Sequence, residues 1–165
     1  MSEIAGATHG EQLLEASRRN NVELLDSILQ EAKDLASLIN ESKDPFLNTS
    51  LHICCKYGSW DVLDKILDLE CPIEIDPQNS EGDTPLHVIS RYAVEEPEHG
   101  TFIASNLIQV GADPRIKNKS GQKPLDLLHS AELEGLCDIL QGAELAIDTH
   151  NEAINADEVE EIDDE

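Results

Sequence analysis

The chain has 165 residues, enough for one domain with a tail. Apolar residues make up 39% and aromatic residues only 3%, so Leu, Ile, Val and Ala must build the core, which suits stacked helices better than a sheet sandwich. The 35 acidic and 11 basic residues leave a formal charge of −24, which argues against nucleic acid or an anionic membrane as a direct partner and favours a basic one.

Residues 1–10 are small and polar and read as a disordered N-terminus. From Gln12 to Ile39 the apolar positions keep helical spacing, with Arg18-Arg19-Asn20-Asn21 as a polar break, so a helix, a tight turn and a second helix are expected. Shifting this unit by 38 positions lays Leu13 on Leu51, Ala16 on Cys54, Asn20 on Gly58, Leu25 on Leu63 and Ile28 on Ile66. Asn and Gly share a tolerance for the left-handed conformation that ends a helix. A third unit opens at Asn79-Ser80-Glu81-Gly82-Asp83-Thr84-Pro85-Leu86-His87. Gly82 supplies a cheap positive φ, Thr84 caps a helix, and Pro85 at its first position gives up no needed N–H. Its helices are expected over 85–94 and 102–110, with 95–100 as a loop insertion. The fourth unit repeats Gly82, Pro85 and Leu86 as Gly121, Pro124 and Leu125, followed by two short helices. From Asp148 onward nine acidic residues and no Lys or Arg predict a solvated, disordered tail.

Four helix–turn–helix units at spacings of 38, 35 and 39 residues, with Thr84-Pro85-Leu86-His87 in the third and Thr49-Ser50-Leu51-His52 in the second, resemble the ankyrin repeat, whose usual period is about 33 residues. The resemblance implies an all-α solenoid of about four repeats (11–43, 44–78, 79–117 and 118–142) joined by β-hairpin-like loops, with an acidic disordered tail over 143–165. Leu47 stands where the turn glycine is expected, so that hairpin is predicted to be distorted.

The resemblance also implies where a partner would touch: the hairpins around the turn glycine and the ends of the first helices. Carried over position by position, the candidate contacts are Arg18, Arg19, Lys56, Tyr57, Arg91 and Tyr92 at the helix ends. At the hairpins they are Phe46, Asn48, Glu81, Asp83, Lys119 and Gln122. Both tyrosines and four of the eleven basic residues fall at the helix ends, which reads as a basic-aromatic stripe for an acidic or mixed peptide. The same cations also complement helix C-termini without any partner. The acidic tail offers the stripe an intramolecular occupant.

No enzyme signature stands out. His52 and His87 fall at equivalent repeat positions, where the resemblance implies hydrogen bonds between neighbouring hairpins rather than catalysis, with Asp126 in that place in the last unit. Cys54 and Cys55 lie beside His52, but Cys71 and Cys137 are solitary and no second ligand pair at zinc spacing follows. No glycine-rich phosphate loop occurs. Neither a cofactor nor a metal is expected. With no leader pattern and no apolar run near membrane-spanning length, the thiols are expected free, in the cytoplasm and/or nucleus. The expected function is a monomeric, non-catalytic protein-interaction module, an adaptor binding through its concave groove. The alternative is a chaperone or escort for a basic client such as a ribosomal protein or histone.

Overall fold

The fold, seen in a computed structural model that describes residues 8–163 and side chains as far as Thr149, is all-helical, with no strand among the described residues. Three helix pairs follow one another: α1 (His9–Arg19) with α2 (Val22–Glu31), α4 (Ser50–Tyr57) with α5 (Trp60–Leu67), and α6 (Pro85–Glu95) with α7 (Pro97–Gln109). A short α3 (Leu35–Glu41) lies between the first two pairs. The fourth unit departs from the expected pair of short helices. Its first helix is a single 3₁₀ segment, Pro124–Leu127, and after a second, Ala131–Leu133, the chain enters one long helix, α8 (Glu134–Asp163).

The first helices stack on one another, α1 on α4 and α4 on α6. Each helix pair is apolar on both flanks, so a neighbour covers what the pair alone leaves bare. The result is one continuous core: Leu13 and Ala16, then Leu51 and Cys54, then Leu86 and Ile89 are all within 1% of complete burial. Cutting Leu86 back to Ala in such a core costs about 2–5 kcal/mol.

Local chemistry sets the ends. Thr8 caps α1 in a reciprocal box with Glu11, so helix begins inside the stretch read as disordered; residues 1–7 of that stretch lie outside the described residues. Asn20 and Gly58 both take left-handed backbone, φ 54° and 67°, at the ends of α1 and α4. Asn20 does more: its Oδ1 accepts from Val62 N–H at 3.0 Å and its Nδ2 donates to Asp61 at 3.1 Å, so the side chain that ends α1 also caps α5 in the next unit.

Between units the chain makes hairpins of one geometry. In each, an Asx side chain collects two backbone N–H groups of its own turn: Asp44 from Phe46 and Asn48, Asn79 from Glu81 and Asp83, Asn118 from Ser120 and Gln122. Leu47, Gly82 and Gly121 follow at φ 65°, 78° and 77°. The hairpin at Leu47 is therefore not distorted. It keeps both backbone bonds of the others, Asp44 N–H to Asn48 O at 3.0 Å and Leu47 N–H to Asp44 O at 2.9 Å, and leucine bears the left-handed strain, roughly 1–2 kcal/mol. Successive hairpins bond edge to edge through Ser80 N–H to Phe46 O and Lys119 N–H to Glu81 O. Pro45 stands at the point equivalent to Ser80 and Lys119, so the first hairpin presents no N–H there.

Two expectations are corrected. Residues 95–100 are not a loop: α6 runs to Glu95, the chain turns once at Glu96 (φ −130°, ψ 75°), and α7 begins at Pro97. Proline at a first helical position lacks only an N–H that would have no helical partner, so it starts a helix as readily as it stops one. The extra turn closes onto α6 because Gly100 has no side chain: a Cβ there would lie 2.5 Å from that of Ala93. Nor does the described chain become irregular after 142, since α8 is unbroken helix through Asp163. Lys123 to Glu144 at 2.8 Å ties its middle to the fourth unit, and Arg115 to Asp148 at 3.2 Å ties it to the end of the third. The last two residues of the predicted tail lie outside the described residues.

Candidate protein-binding cleft

The rows of histidine and asparagine side chains hold the hairpins over the first helices and so shape one face of the stack. His52 Nδ1 accepts from Thr49 N–H at 3.1 Å, which puts its proton on Nε2, and that nitrogen donates to Asp83 O at 2.8 Å in the next hairpin. His87 repeats both bonds, from Thr84 N–H at 3.0 Å and to Gln122 O at 2.8 Å. Asp126 Oδ2 takes the Lys123 N–H in the last unit. Burial holds both imidazoles below the usual histidine value, against the carbonyls and the carboxylate of Asp83, so each is held as the neutral donor this bridge needs. A second row runs beside it, with Asn79 Nδ2 donating to Asn48 Oδ1 at 2.8 Å and Asn118 Nδ2 to Asp83 Oδ1 at 2.9 Å.

Along this face lies an open cleft of about 690 Å³. Hairpin residues Asp44, Asn48, Asn79, Glu81 and Asp83 form one wall. The other comes from Arg18 at the end of α1, Lys56 and Tyr57 at the end of α4, and Arg91, Tyr92, Glu95 and Glu96 at the end of α6, with His52, Ile53 and Val88 in the same lining. Eight of the twelve residues predicted to touch a partner therefore line one depression: Arg18, Asn48, Lys56, Tyr57, Glu81, Asp83, Arg91 and Tyr92. Arg19, Phe46, Lys119 and Gln122 are not in its lining. Arg19 bonds Glu15 at 2.5 Å, Phe46 stands out at the hairpin tip, Lys119 is exposed, and Gln122 offers its carbonyl to His87.

The cations do not sum to a basic stripe. Arg91 bonds Asp83 at 2.5 Å, a carboxylate that is almost fully buried and also holds Asn118. Burial alone would raise the Asp83 carboxyl, but these hydrogen bonds outweigh it and hold the group below the ordinary aspartate value. Arg18 and Arg19 both bond Glu15, three and four residues back on α1. Of the three cations lining the cleft, only Lys56 has no ion pair among the described residues; it lies 5.7 Å over the Tyr57 ring. Against it stand Glu81, Glu95 and Glu96, all exposed and without an ion pair among the described residues, and Asp44, whose oxygens are turned to its own hairpin. The free charge of the cleft is acidic.

The two tyrosines also differ. Tyr57 is 48% exposed. Tyr92 is half-buried, stacks edge-on against His99 and lies over Gly58, where an added Cβ would fall 2.2 Å from the tyrosine hydroxyl. His99 in turn donates to Gly58 O at 2.9 Å, so the extra turn at the start of α7 ties the third unit to the second. Tyr92 is as much a structural contact as a surface.

Elsewhere, burial pushes the Cys54 thiol up to about 12 and Cys55 well above its usual value. No group of three or more His, Cys, Asp or Glu among the described residues is placed to hold a metal ion. No helix among them is long and apolar enough to cross a membrane.

The chain is 62% identical over 165 residues to the ankyrin repeat-containing protein YGL242C of Saccharomyces cerevisiae, a match covering 96% of this chain and 91% of that one. The chain belongs to the ankyrin-repeat family. No protein-family model matches it. More distant likenesses are to human oxysterol-binding protein-related protein 1, 29% identical over 64% of this chain and 10% of that protein, and to human ankyrin repeat and SOCS box protein 9, 30% identical over 53% of this chain and 27% of that one. Within the ankyrin frame, two sets of site residues escaped the sequence reading. The Asp44, Asn79 and Asn118 row was signalled by spacings of 35 and 39 residues, the same as those of the leucines used to align the units. Glu95 and Glu96 were placed in a loop, and only the continuation of α6 brings them to the cleft.

Proposed function

We infer that this ankyrin-repeat protein is an interaction module that binds another protein along the cleft between its hairpins and the ends of α1, α4 and α6. The observation that supports this is the convergence of three successive units on one open depression with an exposed tyrosine in its lining. A rigid scaffold shapes the surface, since the histidine and asparagine rows fix the hairpins, and a preformed surface spares a complex much of the ordering cost of binding. The adaptor reading needs no catalysis, and with it goes the proposal of a monomer in the cytoplasm and/or nucleus.

Affinity capture from lysate tests it, comparing the wild type with a Lys56→Ala/Tyr57→Ala variant that leaves Tyr92 and its contact with Gly58 intact. The variant is expected to lose the partners that the wild type recovers. Equal recovery of the same partners would refute the assignment of the cleft. The escort reading is favoured by one observation, the excess of free carboxylates in the cleft of a chain carrying −24. It predicts a set of basic clients released by added salt, whereas an adaptor keeps a single partner through the same wash.

A further inference from the structure

The tip of the first hairpin spends conformational energy on side chains the fold does not use. Leu47 holds φ 65° where the two later hairpins place glycine at 78° and 77°. Its side chain is 47% exposed, and its neighbour Phe46 is 66% exposed. Neither belongs to the hydrophobic core or to the residues packed against it. Left-handed backbone is disfavoured for leucine, and here no place in the core offsets it. The tip adjoins the cleft, because Asp44 and Asn48, on either side of Pro45-Phe46-Leu47, both line it. An apolar knob therefore stands at the rim of a depression whose free charge is that of Glu81, Glu95 and Glu96.

We propose that Phe46 and Leu47 anchor a large apolar side chain of an extended basic segment of another protein, whose Lys or Arg side chains occupy the adjoining cleft. This rests on the cleft being the binding surface and adds what it binds. Charge decides among occupants. A second copy of this chain, a nucleic acid or an anionic membrane would each meet a like-charged surface on a molecule of −24. A Lys/Arg-rich segment meets a complementary one, and Tyr57 gives a guanidinium or ammonium group an aromatic face.

Three short labelled peptides test this by fluorescence anisotropy with the full chain. One alternates Lys/Arg with Gly/Ser around a single Leu, the second replaces that Leu by Ser, and the third replaces its Lys/Arg by Glu. The first peptide should bind best, roughly tenfold tighter than the second, as burial of one large apolar side chain gives. The third should not bind. Phe46→Ser and Leu47→Gly should abolish the difference between the first two peptides. Leu47→Gly relieves the backbone, so its thermal midpoint should stay near that of the wild type, and lost binding there cannot be lost folding. A Glu81→Gln/Glu95→Gln/Glu96→Gln variant should weaken both basic peptides together and flatten their salt dependence. The proposal falls if the acidic peptide binds as tightly as the first, if none binds, if the tip variants bind all three like wild type, or if the tip instead drives self-association in sedimentation. In each case the cleft assignment stands or falls separately, on the Lys56/Tyr57 capture.

Discussion

Gly82 and Gly121 occupy the same point of two successive hairpins, at φ 78° and 77°, and differ in what lies alongside. A Cβ on Gly82 would sit 2.7 Å from the backbone nitrogen of Lys119 and 3.2 Å from the carbonyl carbon of Asn118, while one on Gly121 would meet nothing within 4 Å. Alanine at each site therefore separates strain from contact. Both variants carry the left-handed penalty, partly offset because alanine restricts the unfolded chain, so Gly121→Ala should cost about 1 kcal/mol. At Gly82 the methyl abuts backbone that cannot rotate away. The next hairpin must move and stretch the Lys119 N–H to Glu81 O bond, now 3.0 Å. Overpacking of this kind adds about 1–3 kcal/mol, so Gly82→Ala should cost about 2–4 kcal/mol. Equilibrium urea unfolding followed by far-ultraviolet circular dichroism measures both, provided the variants share the wild-type slope. Equal losses at the two sites would refute the edge-to-edge packing of the hairpins, on which the shape of the cleft depends.

His52→Ala should destabilise by about 2–4 kcal/mol, because it leaves the buried Thr49 N–H without its partner, takes from Asp83 O one of its two donors (Asn79 N–H remains, at 3.0 Å) and empties the space of a buried ring. Faster amide exchange at Thr49 would locate the damage. The buried histidines also set an acid response. Their folded values lie below 6.5, so their contribution is complete above about pH 6.5 and is lost as pH falls below it, since the unfolded chain takes up the protons. Asp76 acts in the opposite direction. Burial lifts its carboxyl from 3.8 to about 6, even though it accepts the Asp113 N–H, so its effect on stability is least unfavourable below about pH 4 and worsens as pH rises through 6. Asp76→Asn should thus stabilise the protein at pH 7 by roughly 1 kcal/mol, a figure discounted for the carboxyl's partial solvation, and not at pH 4. Urea midpoints across this range should fall more steeply on acidification to pH 5 in the variant than in the wild type; parallel curves would contradict the Asp76 assignment, and a flat curve in the variant would contradict that of the histidines.

Much of this protein was legible in its sequence because the determining contacts are local. Thr84, Pro85 and His87 settle a helix start within one turn, through a cap, a proline that needs no N–H and a side-chain bond three residues long. Asn20 and Gly58 mark helix ends by a tolerance that belongs to the residue itself. Periodic Leu, Ile and Ala positions marked the stacked core, since burial of one face recurs with the helical period. Even the pairing of Arg18 with Glu15 lay open to a reader of helical spacing. Local rules erred where two outcomes share a signal. Pro97 reads equally as a break and as a first helical residue, and it was the contact of Gly100 with Ala93 that folded 97–100 into α7 against α6.

The sequence by itself thus determined that this is a stack of helical hairpins, which residues cap and turn it, and where α1 and α4 end. Only the tertiary structure decided the sign of the cleft. Arg91 is withdrawn by Asp83 eight residues away, Asp83 is held in place by Asn118 from the next hairpin, and Glu95 and Glu96 reach the rim because α6 runs on. A count of charges along a chain is blind to such pairing, because a charge acts over ångströms in space and its partner is chosen by how the repeats stack.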